Sequence, residues 1–217
     1  MLRLVLFTVL LGIYTNSNAA YTPYKLYEMI MQADVIVYGT ISKVDSETFT
    51  LVIDGDVTAK RSIRVERFQD WTCARRWTEY KVGQRVFLFL KKRKRKLFII
   101  SSGGEGELPI INDSLYIHAR SLSRSFLKSL TGEKSINAEF STIYLHQLVN
   151  NEKFYGIKWS LDDFLISVQY IRYCFDIDEK TKNWITKCEL KDIELKASQA
   201  TLVDWIYQLS RQDKNGG

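Results

Sequence analysis

Five runs of strand-like apolar residues lie between Val35 and Ser101, the first long and carrying Gly39, and an irregular stretch at 70–83 separates the third from the fourth. Beyond them, apolar residues recur at three and four positions. A period of two followed by one of 3.6 predicts an α+β chain. The strand count, the internal glycine and the irregular third connection are what a small Greek-key barrel of the OB type requires. The expected fold is a five-stranded OB-like Greek-key β-barrel followed by a helical C-terminal region.

The elements follow in order. Pro23 suits a first helical turn, and Tyr24, Leu26, Tyr27, Ile30 and Met31 give a short helix ending near Ala33. From Asp34 the period changes: Val35, Val37, Gly39 and Ile41 alternate with Ile36, Tyr38 and Thr40 in a long strand, bent or bulged at the glycine. Thr48–Thr58, Ser62–Phe68, Val86–Leu90 and Leu97–Ser101 supply the other four strands, and Ser114–Arg120 resembles a sixth. Phe140, Ile143, Tyr144 and Leu148 predict an amphipathic helix over Ala138–Val149. Ser160 followed by Asp162 and Asp163 is a helix start that continues to about Phe175. Trp184–Leu190 is ambiguous, and Ala200–Leu209 is a last helix.

Composition narrows the class. With 46% hydrophobic and 26% charged residues among 217, the chain has the balance of a soluble globular protein. Two prolines and 11 glycines exclude collagen-like and proline-rich architectures. The start stands apart: Arg3, an apolar run from Leu4 to Ile13, then Ser17-Asn18-Ala19-Ala20 predict a signal peptide cleaved after Ala19 or Ala20. The run falls short of the roughly 18 apolar residues a membrane span needs, and no second long run follows. The expected plan is a leader at 1–19, a barrel with an N-terminal helix at 20–121 and a helical region at 122–217, secreted or periplasmic, with no transmembrane span.

Three cysteines make an odd count for an exported chain. Cys174 and Cys188 flank the polar stretch Asp176–Asn183 and would close a loop of commonly bridged size, so a disulfide is expected there. Cys73 is left over. Arg75 and Arg76 beside it would favour a thiolate, whereas its place between Trp71 and Trp77 suits a small buried residue.

Between the fourth and fifth strands lies Lys91-Lys92-Arg93-Lys94-Arg95-Lys96, six cations in a chain whose formal charge is +6. Such a run reads either as a solvated hairpin tip or as a contact for an anionic polysaccharide, lipid surface or polyphosphate. An exported protein does not meet nuclear import, and no specific nucleic-acid partner is expected. The glycine-rich loop at 101–109 lacks the Gly-Lys-Ser/Thr ending of a phosphate loop, and Glu105 and Glu107 put negative charge there. These two carboxylates would suit a cation; a polar loop is the simpler account. Asn112-Asp113-Ser114 is a glycosylation sequon for a eukaryotic route.

Candidates for catalysis are few. His118 and His146 are the only histidines, one expected on an outward strand face and one on a helix, so zinc sites and histidine triads lack members. No metal or cofactor is expected. Ala33-Asp34-Val35-Ile36-Val37-Tyr38-Gly39 after a short helix, and Tyr80–Leu90 leading into a strand, resemble the OB-fold domains of the netrin-like group that includes tissue inhibitors of metalloproteinases, over about residues 22–120. The resemblance implies an exported binding or inhibitory module. Those inhibitors chelate the protease zinc through a cysteine at the mature N-terminus, where this chain has Ala20 or Tyr21. The residues favour a noncatalytic module contacting a protein or anionic envelope component through the barrel and the cationic tip. The alternatives are a thiol enzyme using Cys73 and an assembly component docking through its C-terminal helices.

Overall fold

The computed structural model describes residues 22–54, 61–71, 74–122, 140–149, 152–178, 180–181 and 183–212, with the backbone course alone within 140–156 and at 212. The expected leader and Cys73 lie outside the described residues.

Helix α1 (Leu26–Gln32) turns Leu26, Met29 and Ile30 inward, and Glu28 accepts the Lys25 N–H at 2.6 Å, tying down its first turn. It opens three residues later than the proline suggests. Strand β1 (Val35–Val44) then serves two ladders: it pairs with β4 (Arg85–Arg93) from Val35 to Thr40 and with β2 (Thr48–Ile53) from Gly39 to Val44. With β3 (Ser62–Glu66) and β5 (Lys96–Ile99) the order is β1-β2-β3-β5-β4, and β4 returns to β1. Only β3 and β5 run parallel within this closed barrel. The expected five-stranded barrel is present.

Gly39 is where both ladders meet, and the reason for glycine is space: a Cβ there would lie 2.0 Å from the Val52 carbonyl oxygen. The irregularity between Ile41 and Lys43 completes the bend. Ile41, Phe49, Leu51, Val65, Val86, Leu88 and Leu90 fill the barrel.

The sheet continues past β4 through β6 (Glu107–Ile111), β7 (Ser114–His118), β9 (Glu152–Ser160) and β8 (Phe140–Val149). Helices α2 (Leu161–Cys174), α3 (Leu190–Ala197) and α4 (Thr201–Gln212) form the helical C-terminal part. Together with α1 and this extension they enclose a second core, into which β4 sends Phe87 and Phe89. Phe164 of α2 meets Phe87 and Trp159 edge-on at 5.2 and 5.7 Å between ring centroids. Ser160 caps α2 by accepting the Asp163 N–H, as its sequence predicts.

Two expectations fail locally. The helix expected over Ala138–Val149 is strand β8; its Thr142, Ile143, Tyr144 and Val149 are good strand formers, and β9 gives them an edge to pair with. The loop expected to run to Pro109 gives way to β6 from Glu107, although proline usually argues against an interior strand. The ambiguous stretch after Trp184 is strand β11 (Trp184–Thr186), which pairs with β10 (Phe175–Ile177) in a short ribbon. The Cys174–Cys188 disulfide is formed, with Cα atoms 4.9 Å apart, and closes the base of this ribbon.

Gly39→Val should lower stability by on the order of 3 kcal/mol, because its side chain meets fixed backbone rather than a movable side chain. Urea unfolding of the variant checks this, and an unchanged midpoint would contradict the space argument.

Candidate functional site

The cationic run is a tight hairpin. β4 ends at Arg93, β5 starts at Lys96, and Lys94 and Arg95 form the two-residue turn with φ of 46° and 66°. Such turns need left-handed backbone at both central positions and normally recruit asparagine, aspartate or glycine. The β6–β7 hairpin obeys that rule with Asn112 and Asp113, at φ of 49° and 53°. Lysine and arginine pay roughly 1–2 kcal/mol per residue for the same conformation.

The six charges divide by position. Lys91 Nζ lies 3.0 Å from Asp34 Oδ1, and Lys96 Nζ lies 2.9 Å from Glu66 Oε1. Asp34 also accepts the Lys92 N–H at 2.7 Å. That backbone bond and the Lys91 ammonium hold the Asp34 carboxyl below its ordinary range. The side chains of Lys92, Arg93, Lys94 and Arg95 are exposed and have no ion-pair partner among the described residues. Lys91 is anchored low on the hairpin and Lys96 beside the turn, and the unneutralised charges of Lys92–Arg95 run along the β4 side and over the turn.

Beside the hairpin lies a cleft of about 1440 Å³, bounded by α1, the start of β1, Lys91 and the β10–β11 ribbon. Sequence reasoning missed it because its walls come from segments far apart in the chain. Arg172, in the last turn of α2, donates through Nη1 to the carbonyls of Ile30, Met31 and Ala33 at 3.0, 3.2 and 2.9 Å. This holds the guanidinium at the C-terminal end of α1. Among the described residues each carboxylate lining the cleft has a partner: Glu28 the Lys25 N–H, Asp34 the hairpin, Asp176 Lys187 and the Ile177 N–H, and Asp178 the Lys180 and Thr181 N–H groups.

The remaining candidates are engaged structurally. Arg76 is buried, and its guanidinium grips the buried Glu107 carboxylate through Nε and Nη2. Tyr80 donates to Glu107 Oε2 at 2.9 Å and accepts the Phe68 N–H at 3.0 Å. Burial and the adjacent carboxylate push the Tyr80 phenol up, so it remains a neutral donor. The cluster ties the 67–84 connection to β6, and it occupies one of the two arginines expected to activate Cys73. Glu105 has its own partners, accepting from Ser101 Oγ and the Ser102 and Gly103 N–H groups. The two carboxylates are thus held by separate sets of protein donors.

His118 is half-buried at the end of β7 rather than solvent-facing, and its Nδ1 accepts the Arg120 N–H at 3.1 Å. Burial, and then the charge of Arg120, lowers its pKa to about 4. His146 falls on β8 rather than on a helix.

Glu107→Gln should destabilise by about 3–5 kcal/mol, since it leaves the buried Arg76 charge uncompensated; denaturant titration measures this. His118 gives a pH signature. Its folded pKa lies below the unfolded value of about 6.5, so the unfolded chain binds the extra proton first. Its contribution is complete above pH 6.5 and is lost as pH falls toward 4. His118→Gln should flatten thermal stability across that window relative to the parent, and identical pH slopes would exclude the contribution.

No protein-family model, curated protein or solved structure matches this chain.

Proposed function

We propose that this chain is an exported, noncatalytic binding module that contacts an anionic envelope or matrix component through the β4–β5 hairpin. The observation that carries the reading is the turn itself. Lys94 and Arg95 occupy backbone conformations that disfavour them, at the point of greatest unneutralised charge. A turn selected only for stability would carry the residues seen at Asn112–Asp113, and strain retained at an exposed site points to a role for the side chains.

Export is supported by the leader-like start and by the disulfide, because such bonds persist in oxidising compartments. Kinship with netrin-like domains is proposed on the sequence resemblance over about residues 22–120 alone. Without a cysteine at Ala20 or Tyr21, zinc chelation by the route of the metalloproteinase inhibitors is not part of the reading. No helix among the described residues is long and apolar enough to cross a membrane.

Immobilised heparin and anionic vesicles test the proposal. Retention should fall steeply with salt as the Debye length contracts from about 10 Å at 0.1 M to about 3 Å at 1 M. Serine at positions 92, 93, 94 and 95 together should abolish most retention at unchanged melting temperature. The pair Lys94→Asn with Arg95→Gly should separate the two properties, gaining roughly 1 kcal/mol of stability while weakening retention. Full retention by the four-serine protein would refute the hairpin's role.

A further inference from the structure

We propose that the outward sheet face behind the cationic turn, centred on Phe98, seats an acidic polysaccharide, one of whose sugar rings stacks on that side chain. The inference rests on the hairpin reading and names its ligand class.

Register places the residues. Phe98 lies opposite Lys91 on β4 and opposite Glu66 on β3, and Arg93 lies opposite Lys96. Side chains alternate along a strand, so Phe98, Lys96, Lys91, Arg93, Glu66 and Arg64 share one face, while Leu97, Ile99 and Val65 face the barrel core. Two contacts agree with this placement: Lys96 Nζ reaches Glu66 Oε1, and Arg64 Nε donates to Thr48 Oγ1 at 2.9 Å. Ile100, two residues on from Phe98, is buried in the core beneath the helices. Phe98 is thus where the cover of this face ends. It is half-buried, belongs to neither core and has no aromatic or cation–π partner among the described residues.

Charge selects an anion. The nearby carboxylates of Asp34, Asp45 and Glu66 are each matched by one lysine, at 3.0, 2.9 and 2.9 Å. Arg64 and Arg93 are left over, with no carboxylate partner among the described residues. A guanidinium takes a carboxylate or sulfate bidentately, and the ring between them offers a flat apolar surface to the C–H side of a sugar. Glu66 decides among polyanions. Its Oε2 has no hydrogen-bond partner among the described residues, and its Cα lies opposite that of Phe98. A free carboxylate oxygen accepts from a sugar hydroxyl, whereas it repels a phosphodiester whose base stacks on the same ring. Depth decides against a bilayer. Phe98 lies three residues behind Arg95, about 10 Å at strand spacing, so a planar surface met by the turn does not reach it, whereas a chain laid along the hairpin does.

The test is calorimetry of the full chain with a size-defined heparin octasaccharide, beside oligothymidylate of equal charge and vesicles of phosphatidylcholine and phosphatidylserine. Phe98→Leu keeps the apolar bulk and should weaken octasaccharide binding about fivefold, the loss of one ring contact, while vesicle binding stays unchanged. Phe98→Tyr should bind as the parent does. Arg64→Ser, outside the cationic run, should weaken octasaccharide binding by a similar factor at unchanged melting temperature, and it decides alone if Phe98→Leu does not fold. The four-serine hairpin protein should lose octasaccharide and vesicles alike. Unchanged octasaccharide affinity in folded Phe98→Leu overturns the assignment of this face and leaves the hairpin reading standing. Unchanged binding in the four-serine protein overturns the hairpin reading and this inference with it. Tighter binding of oligothymidylate than of the octasaccharide, with the same dependence on Phe98, overturns the choice of a glycan. An equal loss of vesicle binding in Phe98→Leu overturns the exclusion of a bilayer.

Discussion

Strand β4 is the element on which both halves of the molecule depend, because its two faces serve two cores. Val86, Leu88 and Leu90 point into the barrel, while Phe87 and Phe89 point beneath the helices. This explains why Val86–Leu90 has no polar alternation at all: a strand covered on both sides has no solvent face to supply it. It also explains how one sheet can close into a barrel at one end and continue as an open, helix-covered sheet at the other. The cationic hairpin is the continuation of this same strand, so its β4 arm grows directly out of the core.

Buried charge secures the other long connection. The segment from Arg67 to Gln84 has little regular structure, yet Arg76 and Tyr80 bind it to Glu107 on β6. A buried pair of this kind is a poor source of net stability, since desolvation offsets much of the attraction. Its effect is positional: an irregular stretch of backbone is held in one place against β6.

The barrel was legible in the sequence because local and global signals agree there. Gly39 marks the bend, β-branched residues alternate on either side, and the cationic run falls between two apolar strands. Legibility failed where local signals point elsewhere. Phe140, Ile143, Tyr144 and Leu148 satisfy helical spacing, and only the pairing with β9 makes them a strand. Pro109 argued against a strand that β4 and β7 flank on both sides. The disulfide was legible from spacing, but the cleft above it was not. Arg172 on α2 reaches carbonyls on α1, and no periodicity in either segment encodes that meeting. The charged run showed its density in the sequence; the division into paired and unpaired cations required the positions of Asp34 and Glu66.

Closure of the barrel is uneven around its circumference. β1 and β4 are laced together from Val35 to Thr40, whereas β3 and β5 meet only at Val65–Leu97 and Glu66–Phe98, in the parallel arrangement that is slightly weaker per residue. The Lys96–Glu66 pair lies across that short junction, with Lys96 well exposed, and a surface pair adds little to its strength. A cylinder joined this way opens along its thinnest seam, so breathing motions concentrate between β3 and β5 while β4 stays clamped. The hairpin projects from the end of that seam: one of its strands is anchored in the least mobile part of the wall and the other borders the part that parts first.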